Sequence, residues 1–135
     1  MSYPITAIDG IDEETAAALK SARVRSTARL LDAAGTLKGR KLLADKTGIP
    51  PKQLLCWANV ADRMRVKGVS REYAELLQAA GVDTVRELKH RNPQKLAAAM
   101  AAANKQRKLV RVLPSAKTVA RWIEHAAKLP PKITY

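Results

Sequence analysis

Phenylalanine is missing from this sequence, and aromatic residues fill only 4% of its 135 positions. A core without large rings must be assembled from Leu, Ile, Val and many Ala, a set that suits close-packed helices better than sheets. The only cysteine, Cys56, excludes a disulfide framework and a thiolate metal cage. It stands in an apolar run beside Leu55 and Trp57 and reads as a buried, inert thiol. No window approaches the roughly 18 apolar residues that a bilayer crossing needs. The first ten residues carry neither a basic n-region nor an apolar h-region, so no signal peptide is expected and the cytoplasm is the default location.

Catalytic equipment is equally sparse. His90 and His125 lie far apart in sequence, with no carboxylate pair, Ser/His/Asp set or Gly-rich phosphate cradle beside them. No enzyme activity, metal or cofactor is therefore expected. The length sets one compact domain, or two small ones packed together.

What the chain has is positive charge. Twenty-five Lys and Arg against twelve Asp and Glu leave +13. A charge that large argues about partners, nucleic acid first and an acidic membrane or an acidic protein second. A solvated basic surface is the plain alternative. The excess is uneven: nine cations face seven acids through Asp62, and sixteen face five from Arg63 onward. That asymmetry expects one binding side, supplied by the second half.

Met64 to Leu77 organises the rest. Val66 and Val69 bracket Gly68, Ser70 stands at an N-cap position, and Tyr73, Ala74, Leu76 and Leu77 follow at helical spacing. Upstream, Leu54, Ala58, Ala61 and Met64 mark an incoming helix. Helix, apolar-glycine-apolar turn, helix is a helix-hairpin-helix, a device that points unpaired backbone N–H groups at phosphates.

The device occurs twice. At an offset of 58, Ile8 matches Val66, Gly10 matches Gly68, Ile11 matches Val69, Leu19 matches Leu77, Val24 matches Val82 and Leu30 matches Leu88. This is an internal repeat. It predicts an all-α, compact bundle of about eight short helices, with a first four-helix repeat over 1–62 and a second over 63–135. Helices are expected over Asp12–Ala22, Ser26–Ala34, Arg40–Lys46 after a Gly35–Gly39 loop, and a fourth starting at Pro50-Pro51. In the second copy they are expected over Ser70–Ala80, Thr84–His90, Gln94–Asn104 behind Asn92-Pro93, and Pro114–Lys128. Gly81 ends its helix at positive φ, which Arg23 cannot do as cheaply, so the first copy is expected to turn differently or be looser there. Trp57 and Trp122 look equivalent although the second copy has seven extra residues before that point. A helix lengthened by two turns near Ala97–Arg111 would absorb them.

Gly39–Ile49, Leu54–Asp62, Arg65–Leu88, Arg91–Pro93 and Leu113–Pro131 together resemble a bacterial family, domain of unknown function 4332, related to the helix-hairpin-helix superfamily. The similarity covers essentially the whole chain. It implies a tandem all-helical helix-hairpin-helix fold but carries no established activity. The wider superfamily implies sequence-tolerant DNA or RNA binding, and includes members that bind only proteins.

Three segments are candidate phosphate contacts. The first is the second hairpin, Lys67, Gly68, Val69, Ser70 and Arg71, with Arg63 and Arg65 before it. Its alternative role is merely to pack two helices. The second is Lys46, Gly48 and Lys52, in a stretch that also resembles a helix-turn-helix but whose following helix has little polar face for base readout. The third is Lys105, Arg107, Lys108 and Arg111 with Lys117 and Arg121 behind, otherwise a solvated connector. The first hairpin is expected to be structural or to meet a basic surface such as its own second half, since Asp9, Asp12, Glu13 and Glu14 oppose a phosphate more than a helix dipole of about half a charge attracts it. The reading is a non-enzymatic, sequence-tolerant nucleic-acid-binding module, DNA before RNA. The alternative is a protein-interaction or scaffold module with no nucleic-acid role.

Overall fold

A computed structural model describes residues 2–135. These residues form eight α-helices, one 3-10 turn and no strand, with a single isolated bridge between Pro4 and Ser26. The chain divides into two units, one running through Arg65 and taking in Lys132–Tyr135, the other Val66–Pro131. Where the sequence places the division after residue 62, the structure places it after Arg65 and returns the last four residues to the first unit.

The first unit contains the 3-10 turn Ile5–Ala7 and helices α1 (Glu13–Ser21), α2 (Thr27–Ala34), α3 (Leu37–Thr47) and α4 (Pro51–Arg63). Helix α2 packs on both α3 and α4. Ile5, Leu19, Leu30, Leu54 and Ala58 are fully buried there. Helix α3 starts three residues before its expected Arg40 because the Thr36 hydroxyl accepts the Gly39 N–H at 3.0 Å, drawing the supposed loop into the first turn. The tail is anchored rather than loose. Ile133 is buried, the Thr134 N–H donates to the Gly35 carbonyl, and the buried Arg40 guanidinium donates to the carbonyls of Ala34, Gly35 and Thr134.

The second unit contains α5 (Arg71–Ala79), α6 (Val85–Leu88), α7 (Pro93–Arg107) and α8 (Ala116–Lys128). Helix α8 packs on α6 and α7, and α5 on α7. Val66, Val69, Leu77, Leu88, Met100, Val119 and Ala126 are fully buried. Of the extra residues, α7 takes about one turn, 15 residues against 11 in α3, and not the two turns expected. The remainder forms the connector between α7 and α8. Asn104 holds it, its side chain donating to the Val110 carbonyl at 3.0 Å and accepting the Val110 N–H at 2.9 Å.

The repeat is visible bond by bond. Ile11 N–H donates to the Ile8 carbonyl and Val69 N–H to the Val66 carbonyl, and Gly10 and Gly68 both stand at φ +91. After the next helix, Val24 N–H reaches the Leu19 carbonyl and Val82 N–H the Leu77 carbonyl. The turn at Arg23 is thus the same as at Gly81, contrary to the expected difference, with Arg23 itself at φ 66. A left-handed φ costs a residue with a Cβ about 1–2 kcal/mol that glycine avoids. Arg23→Gly should therefore raise the unfolding free energy by up to about 1 kcal/mol once glycine's larger unfolded-state entropy is subtracted. Urea denaturation of the two proteins checks this.

Candidate nucleic-acid interface

Each hairpin glycine is backed by an indole. A Cβ placed on Gly10 would lie 3.6 Å from Trp57 Nε1, and one on Gly68 would lie 3.2 Å from Trp122 Nε1. Trp57 and Trp122 are thus equivalent, each bracing the turn of its own unit. Trp122 in turn packs against Tyr73 at 5.3 Å between ring centroids. The Tyr73 hydroxyl donates to the Val112 carbonyl, tying the connector to α5.

The two hairpins differ in what their amides meet. In the first, the Asp12 carboxylate accepts the Thr15 N–H at 2.8 Å, and that backbone hydrogen bond holds the Asp12 carboxyl below its ordinary range. The first hairpin thus supplies its own anion at the helix start. In the second, Ser70 occupies the same position, yet its hydroxyl makes no capping bond. The expected side-chain cap is not formed. The backbone N–H groups of Gly68, Ser70 and Arg71 donate to no acceptor among the described residues. Two neighbouring amides are taken: Val69 N–H closes the turn onto Val66, and Lys67 N–H donates to His125 Nδ1 at 2.9 Å. Val69 is itself fully buried, so this expected contact is core.

Cations surround this turn unevenly. Lys67 and Arg71 are exposed beside it. Arg121 and Lys128 of α8 line a groove with Lys67, Gly68, Thr118 and His125. Thr118, Arg121, His125 and Lys128 fall at i, i+3, i+7 and i+10, one face of a helix. Only Arg121 of these four is among the expected contacts. The spacing of the other three was available in the sequence, but not their apposition to Lys67.

Two expected contacts are withdrawn. Arg63 is 1% exposed, so its guanidinium cannot reach a phosphate. Arg65 belongs to the same unit and is held by Asp62, Nη2 to Oδ1 at 2.6 Å. With these and Lys132 in the first unit, twelve cations stand against seven acids there, and thirteen against five in the second. The charge is less lopsided between folded units than between sequence halves.

The remaining candidates are exposed. Lys46 is in the last turn of α3, Gly48 is its left-handed cap at φ 76, and Lys52 is in the first turn of α4, all in the first unit. In the second unit, Lys105 and Arg107 close α7, and Lys108 follows at φ 51. Lys108 and Arg111 line a second cleft with Glu72, Tyr73 and Val112. Lys117 is exposed on the first turn of α8. Cys56, expected to be buried, is exposed.

No group of three or more His, Cys, Asp or Glu suited to a metal ion occurs among the described residues. No helix there is long and apolar enough to cross a membrane. A family model described as Domain of unknown function (DUF4332) matches residues 9–129. No solved structure matches the chain.

Proposed function

This chain belongs to the DUF4332 family, whose description assigns no activity, and we propose that it is a non-enzymatic, sequence-tolerant nucleic-acid-binding module, DNA before RNA. One observation carries the reading: the helix start of the second hairpin has no side-chain cap and no carboxylate of its own, where in the first the Asp12 carboxylate takes the Thr15 N–H. Backbone amides at a helix start, ringed by Lys67, Arg71, Arg121 and Lys128, suit the phosphodiester backbone and read no base. The buried indoles, 7% exposed at Trp57 and 3% at Trp122, offer no stacking platform, which favours backbone contact over base contact. The module works without a cofactor, away from membrane, and in the cytoplasm.

Binding to a duplex is therefore expected to be steep in salt. Four cations meeting phosphates give a slope of log K against log salt near about −4, since each contributes about −0.9. Fluorescence anisotropy of a labelled duplex titrated at rising salt measures it. A slope near zero, or no binding at about 50 mM salt where such contacts are strongest, removes the reading. It would leave the alternative of a protein-interaction module.

A further inference from the structure

The one hairpin amide that an α8 side chain occupies is Lys67 N–H, and the side chain is an imidazole. A ring nitrogen that accepts carries no proton, so His125 in this arrangement is neutral, with its hydrogen on Nε2. At the corresponding place in the first unit, three residues beyond Trp57, stands Val60, which can accept nothing. His125 is half-buried and lies in the groove with Lys67, Arg121 and Lys128. Those three cations and Glu124 are the charged groups that share the groove with it. No charged side chain of α6 or α7, the helices packed on α8, lines the groove.

A phosphate entering this groove changes the balance. Its charge offsets the three cations and rewards a proton on His125. A protonated imidazole cannot accept from Lys67, so the amide is released to face the phosphate with Gly68, Ser70 and Arg71. We propose that the groove between Lys67 and α8 takes a nucleic-acid phosphate together with one solvent proton. His125 then passes from acceptor of the Lys67 amide to cationic donor to the phosphate. This rests on the nucleic-acid reading above and adds to it a binding residue and a proton linkage.

Linkage of one proton makes log K for a duplex rise as pH falls, with a limiting slope of about −1 per pH unit. At constant ionic strength, anisotropy between about pH 8 and about pH 5.5, spanning the imidazole range, should show at least about tenfold tightening. His125→Ala should lose the slope. His90→Gln should keep it. A flat profile in the unaltered protein, or a slope retained by His125→Ala, overturns the proposal while leaving the nucleic-acid reading standing. Absence of binding at every pH overturns both. If His125→Ala fails to fold, His125→Gln, which keeps the side chain polar but cannot take a proton, gives the same flat profile on this account.

Discussion

Replacing Lys67 and Arg71 together by glutamate is expected to weaken duplex binding by about a hundredfold at about 50 mM salt. Each substitution removes a charge-assisted phosphate contact and installs a repulsion. At roughly 0.7 kcal/mol for each of these four changes, the loss is about 2.7 kcal/mol, or two decades. The salt slope should flatten by about two, because two fewer counterions are released. Both side chains are exposed and neither is ion-paired, so the fold should be altered by no more than about 0.5 kcal/mol. The matching control is Lys46→Glu with Lys52→Glu, an equal change in net charge placed in the first unit. If the control weakens binding as much as the hairpin pair, the binding is a property of net charge and not of this turn.

The second large effect concerns the pivot. Gly68→Ala should destabilise the second unit by about 2–3 kcal/mol. About 1–2 kcal/mol comes from the left-handed backbone at φ +91. The rest comes from a methyl placed 3.2 Å from Trp122 Nε1, closer than ordinary contact, which displaces an indole with only 3% exposure. Gly10→Ala is the built-in comparison. It carries the same φ, but its methyl would lie 3.6 Å from Trp57 Nε1, an ordinary contact, so it should cost only the backbone part. Chemical denaturation of both variants separates the two contributions by subtraction. Equal losses would mean that the Trp122 contact adds nothing.

The paired turns were legible because they depend on local chemistry. Glycine between two apolar anchors recurs at a fixed offset, and only glycine takes positive φ without cost. Arg23 shows the limit of that logic. The turn around it is fixed by the Val24 to Leu19 hydrogen bond and the buried Val24, and the packing makes arginine accept the left-handed backbone. Cys56 shows a different limit. An apolar run in sequence is not a buried one: α4 buries Leu54, Trp57, Ala58 and Ala61, and Cys56 lies about 200° round the helix from Leu54. Periodicity, applied strictly, would have placed it outside.

Charge was the least legible property, because a count along the chain says nothing about which cations are free. Arg40 and Arg63 are interior, and Arg65 is paired with Asp62. Lys128 carries no local signal, because only folding brings α8 beside Lys67. The same apposition, across 58 residues of sequence, makes the His125 contact. No local pattern in the sequence announces it.

The account stands or falls on three amide hydrogens. In an amide-resolved NMR titration of the isotopically labelled protein with a duplex, Gly68, Ser70 and Arg71 should show the largest shifts, moving downfield as their N–H groups gain phosphate acceptors. The corresponding amides of Gly10 and Glu13, beside Asp12, should stay nearly still. Saturable binding that leaves Gly68, Ser70 and Arg71 unmoved, or that moves the first hairpin instead, would contradict it.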